Sequence, residues 1–400
     1  MRFAAVSLGL ILVLMAAVTV IVPRTGLARW LELWVQEATG AETKLDSLTV
    51  QWSGGFGLVL HKGQLRGTGQ ALRQRQGFET DLGRYEITFD QLKLKLSVLP
   101  LLRGTFAVHS VRVVGSLASA EVFGEVLVLR DYDLKLAHIV YPVGEVMTGE
   151  NITFSLALSS GQYIGQATVW SQVSFEGKWM ANELHLPRVR GRLGSGRLEA
   201  AVVLTWQDEG PGRISGSVRW FEVPSQEFLA PYLPSLAEKL RCDLDGEVVG
   251  SMSLVDGRAR RESSDLTVKL SAGAGVLDAR DWFYQASHYL GDRQDLQIIA
   301  FERLYHRGKI KAGHFEIETL ELEGPETSWH VAGEGEFGGE LQVGIDLRLP
   351  PGFTPDLGSM AFLAEMLRDE QGRINLSVKL TGKTAAPVVS ADIQRMMQRR

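Results

Sequence analysis

From about Leu45 onward the chain alternates between apolar and polar positions. Leu92, Leu94, Leu96 and Val98 are separated by Gln91, Lys93, Lys95 and Ser97. Leu341, Val343, Ile345, Leu347 and Leu349 are separated by Gln342, Gly344, Asp346 and Arg348. Ile374, Leu376, Val378 and Leu380 alternate with Asn375, Ser377, Lys379 and Thr381, and Val218 and Trp220 begin a similar run. A period of two predicts strands with one apolar and one wet face. Turn residues recur between these runs: Ser53, Gly54 and Gly55; Gly210, Pro211 and Gly212; Asp256 and Gly257; Gly338 and Gly339. The spacing predicts a long antiparallel meander.

Three segments break the alternation and predict short helices: 224–240 (PSQEFLAPYLPSLAEKL), 277–290 (LDARDWFYQASHYL) and 355–368 (PDLGSMAFLAEMLR). The first and third stand in matching contexts, a strand before and a Gly-containing strand after. Strand, helix, strand is therefore a loose internal repeat.

The first segment has a different pattern. Residues 3–22, FAAVSLGLILVLMAAVTVIV, form a run of about 20 residues without a charge, enough to cross a hydrocarbon core as a helix. A cleaved signal peptide is the competing explanation. Against it, Pro23 and Arg24 separate the run from the small residues Gly26 and Ala28, and the run exceeds the usual apolar region of such peptides. The expectation is an uncleaved single-pass anchor over 1–23 with the N-terminus inside. After it, Leu27, Trp30, Leu31, Trp34, Val35 and Ala38 share one helical face over 24–40, with Thr25 as N-cap and Gly40 as stop. Trp30 and Trp34 are the membrane-interface candidates, because indole suits an apolar surface with a wet edge. Packing of this helix on the core of the following domain is the alternative.

Composition narrows the function. A hydrophobic fraction of 45% and a charged fraction of 22% fit a folded chain, and a net charge of −5 gives no sign of a nucleic-acid partner. The single cysteine, Cys242, excludes an internal disulfide and a thiolate zinc site. Gly333 to Gly338 formally match G-x-G-x-x-G, but Glu334 and Glu336 would place like charge beside a phosphate, and an alternating strand rather than a helix follows. Gly382, Lys383 and Thr384 resemble the end of a P-loop, but Ser377 stands where its first glycine belongs and Pro387 would fall inside the required helix. His109, His185, His314 and His330 lie scattered in strand-like stretches as surface or edge residues. Asp90, Asp131, Asp133 and Asp346 form no paired-carboxylate motif, and G-x-S-x-G is absent. No catalytic residue, metal site or cofactor is assigned, and the chain is expected not to be an enzyme.

The alternating strands must cover an apolar face. A sandwich or barrel does so by packing it dry, and a curved open sheet leaves a trough. The pattern does not separate the two. Several segments in order resemble the AsmA/TamB family of bacterial envelope proteins: the N-terminal apolar run; LTVQW from Leu48 with GLVL from Gly57; FDQLKLKLSVLPLLRGTFAVHSVRVVG from Phe89; RGKI from Arg307; LELEG from Leu320; VAGEGEF from Val331; IDLRLP from Ile345; and LTGKTAAPVV from Leu380. The match is weaker over 126–206. The resemblance implies a mostly β fold, with a transmembrane helix followed by an elongated, curved antiparallel β-sheet groove and a few short helices. It divides the chain into the anchor (1–23), an amphipathic interfacial helix (24–40), an N-terminal β-groove region (41–223) and a C-terminal β region with short helices (224–400). It implies a protein anchored in the inner membrane, with its bulk in the periplasm, whose groove holds phospholipid in support of lipid transport and outer-membrane biogenesis. The groove candidates are Leu92, Leu94, Leu96, Val218, Trp220, Leu341, Val343, Ile345, Leu347, Ile374, Leu376, Val378 and Leu380. The alternative is a non-enzymatic scaffold that engages outer-membrane proteins as an envelope protein partner through its sheet edges.

Overall fold

The computed structural model describes residues 24–398 apart from 52–55, 72–81, 98–104, 123–124, 143–151, 165–168, 181, 207–211, 231–233, 256–257, 279, 281–297, 355–364 and 384–385. The expected membrane span therefore lies outside the described residues, and among those described no helix is long and apolar enough to cross a membrane. The fold is mostly β, built from large antiparallel sheet with few short helices. The chain divides into two compact units, Met1–Leu186 and Pro187–Arg400.

The first unit opens with helix α1 (Arg24–Thr39). Thr25 falls within this helix rather than at a cap before it. Gly40 ends it as expected, with φ of +71° and its N–H donating to the Gln36 carbonyl at 2.8 Å. Seven strands follow as a meander in which each pairs antiparallel with the next: β1 (Glu42–Gln51), β2 (Phe56–Thr68), β3 (Leu82–Ser97), β4 (Thr105–Val122), β5 (Glu125–Pro142), β6 (Ile152–Ile164) and β7 (Val169–Met180). Helix α1 packs on this unit's own sheet. Ala28 is buried against Leu48, Leu60 and Phe89, and Glu32 Oε1 accepts the Leu45 N–H at 2.6 Å. The side chains of Trp30 and Trp34 are outside the described set.

The division between units falls within β8 (Glu183–Leu193). In the second unit β9 (Gly196–Thr205) pairs with β10 (Gly212–Pro224). Helices α2 (Ser225–Leu229) and α3 (Pro234–Ala237) follow, then the short β11 (Leu240–Arg241) and β12 (Asp243–Val255), which pairs back onto β10. The helical segment expected over 224–240 is thus split, with Pro234 opening the second piece, a position where its missing N–H costs nothing. Next come β13 (Arg258–Ala259), β14 (Asp265–Ala272), β15 (Gly275–Asp278) and β16 (Ile298–Phe301). The main sheet continues β12–β14–β17 (Arg303–Lys311)–β18 (His314–Glu323)–β19 (Ser328–Glu336)–β20 (Glu340–Arg348)–β21 (Asn375–Lys383)–β22 (Ala386–Ala391), every pairing antiparallel. Helix α4 (Ile393–Gln398) ends the described chain. β11, β15 and β16 form a separate small sheet, so Leu277 and Asp278, expected in a helix, are strand residues. Most of the remainder of that segment, and 355–364 of the third, lie outside the described residues.

The internal repeat has a structural counterpart. β10 and β12 pair across one excursion, and β20 and β21 across another. Each is closed at its neck by a backbone bond: Ser225 N–H to the Cys242 carbonyl at 2.8 Å, and Leu349 N–H to the Ile374 carbonyl at 2.9 Å.

Candidate functional site

Residues directly opposite in an antiparallel pair point to the same face, so the registers define the faces. In the first unit one row runs Leu48–Leu60–Leu92–Val113–Leu134–Leu156–Phe175, and the next Val50–Leu58–Leu94–Val111–Leu136–Phe154. Most of these side chains are half-buried, and the cluster under α1 draws on β1 to β3 with Val113 of β4 at its edge. The opposite face is charged at the same level: Arg112 binds Asp133 through two bonds, at 2.9 and 2.6 Å, which hold the Asp133 carboxyl below its ordinary range.

The alternation slips phase along one line across the sheet. Lys62, Asp90, Ser116, Asp131, Ser159 and Gln172 mark it, all exposed and all outside the registered pairs. Lys62, Asp131 and Gln172 take positive φ of 47° to 50°. On one side of the line β3 turns Leu92 and Leu94 to the apolar face; on the other it turns Phe89, Ile87 and Tyr85. Phe89 and Leu92 accordingly pack into one cluster with Leu60. A kink that shifts the phase by one keeps a single face apolar along the whole strand.

In the second unit the rows are longer. One runs Val218–Val248–Val268–Gly308–Ile317–Gly333–Val343–Leu380, and its neighbour Trp220–Gly246–Leu270–His306–Leu320–Val331–Ile345–Val378. The structure thus places the second unit's strand candidates Val218, Trp220, Leu341, Val343, Ile345, Leu347, Leu376, Val378 and Leu380 on one face, with Ile374 in the bridge that precedes β21. Leu92 and Leu94 belong to the first unit's face. Leu96 pairs with Phe56 in the same register, but its side chain is outside the described set. Burial divides the candidates. Trp220, at 2% exposure, stacks on Phe228 with centroids 4.6 Å apart, in a core shared with Val223 of its own strand and closed by α2, α3 and the small sheet through Leu229, Ala237, Leu240, Ile299 and Phe301. Leu347, Ile374 and Leu376 form a second core with Leu349, Phe353 and Met396 of α4. Val343 is also buried. Val218, Leu341, Ile345, Val378 and Leu380 remain half-buried, as do Val248, Val268 and Ile317. One end of the face is thus a dry core, and the rows beyond it are less covered.

Aromatic side chains on these faces lie over glycines directly opposite on the adjacent strand. The pairs are Phe89 with Gly63, Tyr85 with Gly67, Tyr132 with Gly115, Phe154 with Gly177, Trp220 with Gly246, and Phe315 with Gly335. At each glycine an added methyl would overlap the ring. A ring laid flat over a missing side chain covers backbone without standing up into a second layer. Tyr132 also donates to the Thr88 carbonyl at 3.1 Å, and burial, with the Asp90 charge second, pushes its pKa up to about 12.

The second unit's other face is a charge ladder. Arg219 pairs with Glu247 (2.6 Å), Lys269 with Glu247 (3.8 Å), and both Arg307 and Lys309 with Glu318 (2.7 and 2.5 Å). The formal phosphate motif resolves into Gly333 and Gly335 within β19 and Gly338 in the turn to β20, with Gly338 at φ of +80°. Gly382 and Lys383 end β21 at its hairpin with β22. His314 and His330 lie beside Glu336 and Glu321. Cys242 is half-buried, and burial pushes its thiol up to about 11. Among the described residues no three His, Cys, Asp or Glu stand close enough to share a metal ion. Asp346 is buried and doubly bonded: Ser377 Oγ donates to Oδ1 at 2.6 Å and Arg395 Nη2 to Oδ2 at 2.8 Å, which docks α4.

The sequence reading missed the contribution of β4 to β7, because the phase slip disguises their alternation, and it missed His306. Comparison of the chain with family models, curated proteins and solved structures finds no match in any of them.

Proposed function

We propose that this chain is a lipid-holding protein of the AsmA/TamB-like kind, anchored by its N-terminal segment in a bacterial inner membrane, which shields phospholipid acyl chains on apolar sheet faces in the periplasm and supports lipid transport to the outer membrane. The observation that carries the proposal is the run of half-buried apolar rows beyond the capped core, backed by a charged opposite face. An apolar face that its own fold covers only in part suits an apolar ligand. Each methylene removed from water contributes about 0.8 kcal/mol, so an acyl chain gains several kcal/mol by lying on such a face while its headgroup stays wet.

The test is mass spectrometry of lipid extracted from the full chain purified in mild detergent, together with transfer of labelled phospholipid between vesicles. Stoichiometric phospholipid and partner-free transfer are expected; neither would be seen if the faces hold no lipid. The scaffold alternative has one observation in its favour: Val388, at 61% exposure, lies on β22, whose pairing among the described residues is with β21. That alternative requires a stable protein partner on crosslinking through β22.

A further inference from the structure

Among the described residues, His306 is the one titratable side chain in the registered rows of the second unit's apolar face. Packing does not call for it. Its cross-strand partners are Leu270 and Leu320, and its same-face neighbours along β17 are Leu304 and Gly308. A leucine would fill the row without the cost of burying an imidazole. Lys269, Arg307 and Glu318, the charged residues of the adjoining strand segments, lie in the ladder on the opposite face.

The ring geometry fixes what His306 can do. Nδ1 stands 3.2 Å from the Thr319 carbonyl oxygen, which can only accept, so Nδ1 carries the proton. Nε2 of the neutral ring is then an acceptor. The ring's Cε1 and Nε2 edge passes Gly308, where a methyl would stand 3.0 and 3.1 Å away, so no side chain covers that edge from Gly308. His306 is half-buried. It also stands at a boundary: Leu304 and Leu322 in the next row belong to the capped core, while Val268 and Ile317 in the row beyond are half-buried.

We propose that His306 recognises the carboxyl end of a long-chain carboxylic acid whose hydrocarbon lies along the less covered rows. This rests on the apolar-ligand reading above and goes beyond it: the free acid is a ligand class distinct from a phospholipid, whose acyl chains end in esters, and His306 is the residue that selects it. Either the acid O–H donates to Nε2, or its proton passes to Nε2 and the imidazolium donates to the carboxylate. Net charge is the same in both cases, and among the described residues no other charged group in the registered rows of the face competes. A methyl ester of the same chain offers neither proton nor charge, so His306 gains nothing from it.

The experiment measures binding of radiolabelled hexadecanoic acid and its methyl ester to the full chain held in amphipol. The unaltered protein is expected to bind the acid about tenfold more tightly than the ester, the scale of one hydrogen bond to a charged or strongly polarised group. His306→Leu abolishes that preference and leaves ester binding unchanged, while His306→Gln, which keeps a hydrogen-bonding amide, restores part of it. A purely structural role would weaken both ligands together and so overturns the proposal. Equal binding of acid and ester by the unaltered protein, or an acid preference that survives His306→Leu, overturns it while leaving the apolar-ligand reading intact. Binding of neither overturns both.

Discussion

At the residue scale, the glycines opposite aromatic rings are constrained by space more than by torsion. Gly246 is the clearest case, because a β-carbon there would overlap the Trp220 ring and crowd the Lys269 carbonyl. Gly246→Ala is expected to cost about 1–3 kcal/mol through overpacking, read as a shift in the urea midpoint followed by tryptophan fluorescence. His306 makes the second residue-scale prediction. Burial lowers its pKa below the ordinary 6.5, opposed by the Thr319 carbonyl. The fold thus favours the neutral ring, and the unfolded chain binds more protons once pH drops below 6.5. The stability that depends on neutral His306 is fully present above about 6.5 and is lost as pH falls toward the folded value. Denaturation of the parent and His306→Leu between pH 7.5 and 5 should show a steeper fall in the parent. Parallel curves would remove His306 from the account.

At the element scale, each strand is amphipathic, and the devices that keep it so are local. The polar kink residues from Lys62 to Gln172 preserve one apolar face where uninterrupted alternation would have turned half of each strand over. Helix α4 is held by Met396 in the second core and by the Arg395 bond to the buried Asp346 carboxylate. Arg395→Ala removes a donor from Asp346 and is expected to cost about 1–3 kcal/mol, with α4 exchanging amide hydrogen faster than β21. Asp346→Asn should cost less, because Ser377 can still donate to the amide oxygen. The alternating strands β3, β20 and β21, the end of α1 and the Gly338 turn were legible in the sequence because each depends on a short local pattern; the other predicted turns, at 53–55, 210–212 and 256–257, lie largely outside the described residues. The split of 224–240 was less so, since apolar periodicity continues across prolines that interrupt the backbone. Leu277 and Asp278 were misplaced because an apolar run beside a helical pattern looks the same whether it pairs with a strand or continues a turn.

At the scale of the whole molecule, both units present a face that is apolar row after row and a reverse face that is largely charged or polar. Where that face is capped it behaves as core; elsewhere most of its apolar side chains are half-buried. Two substitutions separate these regimes. Leu376→Lys puts a charge into the buried cluster with Ile374 and Phe353, and is expected to cost about 3 kcal/mol or more. Val268→Lys lies on a half-buried row, can direct its ammonium to water, and should cost about 1 kcal/mol while lowering the amount of co-purified lipid. Equal destabilisation by both would mean that the Val268 row is dry core as well.

The sequence by itself determined the alternating strands such as β3, β20 and β21, their two-faced character and the Gly338 turn, because a period of two and turn chemistry are local properties of the chain. It also marked thirteen apolar positions, and those whose side chains or registers are described belong to these faces or their capped ends. Only the tertiary structure decided which of them are sealed and which remain half-covered, because covering a face requires segments distant in sequence, such as those of Leu240, Ile299 and Met396. It also brought Leu270, His306 and Leu320 side by side. An isolated histidine in a strand has no distinguishing pattern, and its place in an otherwise apolar row exists only once the registers of three strands are fixed.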